Sequence, residues 1–183
     1  MAVDTKVTDW IIDTNHSTFE FAVRHVVVST IKGTFSGVTG EIHFDPDAPE
    51  SASVRAEIDI STLDTHNQAR DAKILGEGFF EVETYPTATF TSTQVTAQPD
   101  GHYQVAGDLT LRGVTQAMVF DTTFAGTQGH IDGTPRGAFV ALGSIKRTDF
   151  GFGLGNDLPG GGKTHTDEVK LAMYTTVKPK PAE

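Results

Sequence analysis

The chain of 183 residues has no cysteine. Disulfides, thiolate metal sites, iron–sulfur clusters and cysteine nucleophiles are thereby excluded. It has no apolar run approaching the roughly 18 residues of a transmembrane helix, so no stable membrane insertion is expected. The opening residues, Met1 to Val7, lack the apolar centre of a signal peptide. As written the protein reads as cytoplasmic, and as periplasmic or secreted if a leader has been removed. Positive charge is also scarce: 14 Lys and Arg stand against 24 Asp and Glu, for a net charge of −10. A field of that sign repels phosphate backbones and anionic headgroups, so no nucleic-acid partner is expected. Internal repeats and low-complexity blocks are absent as well.

The familiar catalytic and metal motifs are missing too. The seven His residues are His16, His25, His43, His66, His102, His130 and His165. None forms a His-x-His or His-x₃-His pair, so no metal site is expected. There is no Gly-x-Ser-x-Gly elbow and no Ser-x-x-Lys motif. Asp13, His16 and Ser17 fit a hydrogen-bonded turn at a strand start better than a triad. Gly160-Gly-Gly-Lys163-Thr164 lacks the first glycine of a phosphate loop, because Asp157 stands at that offset, and no helix follows it.

What is plentiful is glycine, 19 residues, and phenylalanine, 12 residues. Glycine permits bends, and Phe supplies apolar area without a polar group. Most of the chain alternates as strands do. In Thr18–Val28 the residues Phe19, Phe21, Val23 and His25 share one parity. Val54, Ala56, Ile58 and Ile60 alternate with Ser53, Arg55, Glu57 and Asp59. Further strand-like runs are Ala88–Thr96, Tyr103–Leu111, Val114–Phe124, Gly137–Ile145 and Asp167–Val177. Pro99-Asp100-Gly101 and Arg112-Gly113 read as tight hairpins, and Gly126–Gly133 as a connection. The apolar parity flips near Gly37, which calls for a bulge or sharp bend. Thr65-His-Asn-Gln68 has the form of a capping box and predicts a short helix near 66–75, ended at Gly76. Phe79 and Phe80 after it suit a plug at one barrel end. The tail, 178–183, is polar, Pro-rich and expected to be flexible.

These elements predict a mainly β, single-domain protein over 1–183, an antiparallel up-and-down barrel of about eight strands. A barrel of that size is filled by its own side chains or holds one small ligand. Val114–Phe124 and Gly137–Ile145 are apolar on both parities, which points to an interior on one side and a helix or partner subunit on the other.

Several segments together resemble the YceI family, polyisoprenoid-binding proteins with a lipocalin-like barrel. They are Trp10-Ile-Ile-Asp-Thr-Asn-His-Ser17 with Phe19–His25, Gly33–Gly40, Ile58–Thr65 with Arg70-Asp71 and Gly78–Phe90, Gly107–Thr115, and Lys146–Gly151. Their order and spacing extend the resemblance over about 8–177. It departs at Lys73, where many members have His, and at Gly78, where many have Asp.

The resemblance implies a long apolar pocket for an isoprenoid chain. Phe19, Phe21, Val23, Phe35, Ile42, Leu109, Leu111, Met118, Phe120, Phe139 and Met173 are the candidates for its wall, with His25, Phe79 and Phe80 also at the ligand. Arg24, Arg147 and Asp149, beside His25, are expected as a polar cluster near one mouth or under the helix. The function expected is non-enzymatic binding, transport or storage of a long-chain isoprenoid lipid or isoprenoid quinone, with no cofactor and no catalytic residue. The two-sided strands and the resemblance also point to a homodimer. The alternative is an enzyme acting on a small apolar or isoprenoid substrate with His25 as general base. A third reading is a filled barrel serving as an interaction scaffold, which would have no continuous cavity.

Overall fold

A computed structural model describes residues 7–26 and 29–181. Among these residues the strands are β1 (Asp9–Ile12), β2 (Thr18–His25), β3 (Ser29–Phe35), β4 (Val38–His43), β5 (Ser53–Asp59), β6 (Leu63–Asp64), β7 (Thr87–Ala97), β8 (His102–Leu111), β9 (Val114–Gly129), β10 (Pro135–Lys146) and β11 (His165–Pro179). One α-helix, α1, spans Gln68–Leu75. Every pairing is antiparallel, in the order β1-β4-β5-β7-β8-β9-β10-β11-β2-β3-β6, and β1 also pairs with β11.

That extra pairing closes the sheet. β2 resumes the path of β1 after a single 3-10 turn at Thr14–His16. β4 likewise follows β3 after a break at 36–37, and β6 follows β5 after Ile60–Thr62. Three broken strands and β7 to β11 thus form an antiparallel barrel of eight staves. Val27 and Val28, the end of the first predicted strand, lie outside the described residues.

The parity flip has a physical cause. Gly37 accepts a hydrogen bond from the Asp59 amide at 2.8 Å and donates one to Thr62 Oγ1 at 3.1 Å. A Cβ at Gly37 would stand 2.8 Å from Thr62 Cγ2 and 2.9 Å from Asp59 Cβ. Glycine is needed there for close approach of two bends. The two hairpins do use left-handed backbone: φ is 61° at Asp100 and 75° at Gly101, 53° at Arg112 and 73° at Gly113.

Three boundaries differ from the sequence expectation. The helix starts two residues later than 66, because His66 adopts φ 60° and Asn67 is the N-cap, accepting from the Arg70 amide at 3.0 Å. Thr65 instead engages the side chains of Asp71 and Arg70. Gly126 to Gly129 belongs to β9, with a bulge opposite at Ala138/Phe139, and the connection shrinks to 130–134. The tail is held further than its composition suggests. β11 runs to Pro179, and Lys180 donates its amide to Asp9 O at 2.9 Å and pairs with Glu41 at 2.9 Å. Two prolines flank Lys180, but its own N–H still completes a ladder bond.

The inward parity is settled by burial. In β9 Met118 and Phe120 are buried and Val119 is about half exposed. Leu142 in β10 and Tyr174 in β11 are also about half exposed on the outer side. The barrel end opposite α1 is packed with rings: Phe44 meets Phe124 at 4.9 Å and Phe139 at 5.4 Å, with Tyr103 edge-on at 5.2 Å.

The corner between β1 and β2 carries a pH-dependent contribution. Buried Asp13 accepts from the Asn15 amide at 3.2 Å and lies 3.0 Å from His16 Nδ1. The hydrogen bond with His16, then that from Asn15, hold its carboxyl below the ordinary value against the opposing effect of burial. A lowered carboxylate stabilises the fold above the unfolded-state pKa of about 4 and loses that contribution as the pH falls through the folded value. Asp13→Ala is therefore expected to cost about 1 kcal/mol at pH 7. In urea titrations the gap between variant and parent should narrow below about pH 4. An equal gap at pH 7 and in acid would locate the effect elsewhere.

Candidate ligand cavity

At the end covered by α1 the barrel holds a cavity of about 750 Å³. A smaller void of about 80 Å³ lies towards the ring-packed end, and Phe19, Ile58 and Leu109 border both. The larger volume falls within the ~300–1,000 Å³ of sites for small organic ligands. Its existence runs against the filled-scaffold reading.

Strand alternation builds the wall. Phe19, Phe21, Val23 and His25 project inward from β2, Phe35 from β3, and Leu109 and Leu111 from β8. Phe79 and Phe80 enter from the segment after α1, whose fold-back is fixed by Phe80 N donating to Ile74 O at 3.0 Å. Phe80 packs edge-on against Phe35 at 5.9 Å and Phe152 at 5.3 Å. Phe152 is held from outside by Arg112, which sits 5.6 Å over its ring, pairs with Glu81 and donates to Gly151 O at 3.2 Å.

The other wall candidates divide differently. Ile42, Phe120, Phe139 and Met173 border the small void, and Met118 is buried in the core without bordering either space. They share the inward parity but sit deeper along their strands.

The expected polar cluster is not assembled as a group. Arg147 lines the cavity near His25. Arg24 and Asp149 are exposed. Arg24 has the opposite parity to His25 and so faces outward. Asp149 lies on the turn Arg147–Phe150, where its backbone carbonyl accepts from Gln116 Nε2 at 3.0 Å. Asp167 is the carboxylate that anchors this turn, accepting from the Thr148 amide at 3.0 Å and its hydroxyl at 2.9 Å. Burial lowers the Arg147 pKa and the Asp167 charge opposes that shift. The Arg147 Nε is buried and has no hydrogen-bond partner.

Several cavity residues were not among the candidates: His165, Lys73, Arg70, Lys32, Ile58, Ala88, Phe152 and Leu171. His165 is the most consequential. It pairs in register with His25, and the rings meet edge-on at 4.8 Å. Burial, followed by the positive charges of Arg147 and His25, lowers its pKa, and Lys73 acts in the same direction. The signal for His165 lay only in its place before the last strand. Pairing of the last strand with the first is a consequence of barrel closure.

A family model described as a YceI-like domain matches residues 10–177. A UPF0312 protein of Vibrio cholerae serotype O1 is 36% identical over 145 residues, covering 78% of this chain and 77% of its own. A UPF0312 protein of Photorhabdus laumondii subsp. laumondii is 36% identical over 137 residues, 75% of this chain and 71% of its own. Among solved structures, the Campylobacter jejuni YCEI protein has a TM-score of 0.73 at 28% identity, over 86% of this chain and 90% of that one. Burkholderia cenocepacia BcnA shares the fold with a TM-score of 0.78 at 24% identity, over 90% and 98%. A polyisoprenoid-binding domain from Saccharophagus degradans, implicated in plant cell wall breakdown, shares it with a TM-score of 0.68 at 16% identity, over 95% and 99%.

Proposed function

The chain belongs to the family described by the YceI-like domain, and from that premise we propose that its cavity binds the chain of an isoprenoid lipid or isoprenoid quinone for carriage or storage, without chemical conversion. The observation that carries the reading is the cavity of about 750 Å³ walled by Phe19, Phe21, Phe35, Phe79 and Phe80. A prenyl tail gains about 0.8 kcal/mol per buried CH₂-sized group, so a few isoprene units yield a gross gain above ~10 kcal/mol, reduced by association and ordering. Binding of that size needs no catalytic group. A similar fold is borne by a domain described as polyisoprenoid-binding.

The test is extraction of the purified protein with organic solvent followed by mass spectrometry, paired with uptake of a prenyl lipid in solution. An isoprenoid in the extract, or saturable uptake in about 1:1 ratio, is the expected result. A lipid-free extract together with no uptake would overturn the proposal.

A further inference from the structure

The large cavity is covered at one end by the stretch 66–86, which crosses from β6 to β7 and supplies Arg70, Lys73, Ile74, Phe79 and Phe80 to the lining. This stretch is bonded mainly to itself. Among the described residues the backbone hydrogen bonds of 67–85 close within that span. Val82 N donates to Leu75 O at 3.0 Å, and Thr84 N and Tyr85 N donate to Glu81 O at 2.8 and 2.9 Å. The helix buries no residue. Ile74, Leu75, Phe80 and Val82 are only partly buried against the core. A segment with few buried contacts and no ladder bonds to its neighbours lies at the low-stability end of a fold.

Polar side chains fasten the stretch at two places. At its start Arg70 donates to Thr65 Oγ1 at 2.7 Å and Thr65 O at 2.6 Å, and Asp71 accepts from the Thr65 amide at 3.1 Å. Thr65 directly precedes the stretch, so this fastening is a root. On the far side Glu81 pairs with Arg112 of the β8–β9 hairpin. Through its contacts with Gly151 O and the Phe152 ring, Arg112 joins the stretch, the hairpin and the turn after β10. The pair is partly shielded, with side-chain exposures of 20% at Arg112 and 28% at Glu81. Both partners hold left-handed backbone, φ 51° at Glu81 and 53° at Arg112. Asn, Asp or Gly adopt that region with less strain, so these two residues are explained by their side chains. Between the fastenings Gly78, at φ 78°, has open space where a Cβ would stand, and the chain can turn there. The cavity rim also differs from side to side. Towards β2, β3, β10 and β11 the mouth carries His25, Lys32, Arg147 and His165, and an apolar tail passing there would strip water from charged groups. Beside the Glu81–Arg112 pair the lining is Phe80, Leu111 and Phe152.

We propose that 66–86 is a hinged strap, rooted at Thr65 and fastened by Glu81 to Arg112, and that its release opens an apolar entry for the ligand tail between Phe80 and Phe152. The inference rests on the isoprenoid reading for the nature of the tail and adds the route by which it enters and leaves. Neither Glu81 nor Arg112 is among the described residues lining the cavity. The fastening therefore holds the empty and the loaded protein alike. It sets how fast a ligand passes and leaves the affinity unchanged.

The test follows uptake and release of N-phenyl-1-naphthylamine, a neutral dye that brightens in apolar surroundings, by stopped-flow fluorescence on the full chain. Arg112→Gln and Glu81→Gln are each expected to raise both rate constants about tenfold, the size of one charge-assisted hydrogen bond, with Kd within about twofold of the parent value. Thermal unfolding of each variant separates a released strap from a damaged barrel. Glu81→Gln keeps Arg112 over Phe152 and decides if Arg112→Gln unfolds. Because the chain has no cysteine, Glu81→Cys combined with Arg112→Cys can be joined by a short bis-thiosulfonate tether. The tethered protein should take up the dye more slowly than the parent protein, and reduction should turn it into a fast form like the Gln variants. A merely structural role would not switch with the tether. Parent-like rates in Glu81→Gln, or tethered protein as fast as the parent protein, overturn the strap. Farnesol is then added to displace the dye. A dye that enters but resists displacement by farnesol counts against the isoprenoid reading and leaves the strap to the rates. If the parent protein takes up no dye, both fall.

Discussion

Ala88→Trp is expected to abolish uptake of a prenyl chain while the barrel still folds. Ala88 is buried on the wall of the large cavity and sits opposite Ile58 on the neighbouring strand. A Trp side chain brings about 150–250 Å² of apolar surface, and here it projects into open volume instead of a packed core. It takes the place of part of the tail. Displacing about four CH₂-sized groups at ~0.8 kcal/mol each removes about 3 kcal/mol, or more than a hundredfold in affinity. Titration with farnesol or farnesyl diphosphate provides the measurement, and urea unfolding checks the fold. Overpacking would cost about 1–3 kcal/mol, whereas filling an empty cavity leaves stability unchanged or raised. A variant that binds as well as the parent protein would show that the chain lies elsewhere.

The second large effect concerns stability. Trp10 is 1% exposed and is the only tryptophan. It stands where the barrel closes, opposite Ile42 on one side and Pro179 on the other. Its ring reaches towards Gly137, 3.5 Å from where a Cβ there would stand. Trp10→Ala should cost about 3–5 kcal/mol, from lost transfer energy and the cavity left behind. That is a large part of the ~5–15 kcal/mol available to a typical domain. Trp10→Phe should cost less than about 1.5 kcal/mol, because the indole Nε1 is buried without a hydrogen-bond partner and its removal leaves no polar group stranded. Urea unfolding followed by circular dichroism distinguishes the two. Equal losses for Phe and Ala would mean that the indole nitrogen has a partner after all.

The candidate site was legible in proportion to how local its signals were. Phe19, Phe21, Val23 and His25 follow from period-2 alternation in one strand, and they reach the large cavity together. Leu109 and Leu111 follow in the same way from β8. Parity gives the face of the sheet but not the depth along the barrel axis. Ile42, Phe120, Phe139 and Met173 therefore share the inward face yet border the small void. The polar cluster failed for a related reason. Arg147 and Asp149 have the same parity in sequence, but the turn Arg147–Phe150 ends the alternation, leaving one residue on the cavity and the other exposed.

The sequence by itself determined the β class, the hairpins at Arg112-Gly113 and Pro99–Gly101, a helix before the Phe79–Phe80 pair, and the need for a break near Gly37. Each depends on backbone preferences within a few residues. Only the tertiary structure decided that the last strand pairs with the first two, which brings His165 against His25. The same closure sets Arg147 and Lys73 around that pair and leaves the mouth without a lining carboxylate among the described residues. The strand pairings of that closure join residues more than a hundred positions apart, and they arise because a curled sheet satisfies its edge hydrogen bonds only by meeting itself.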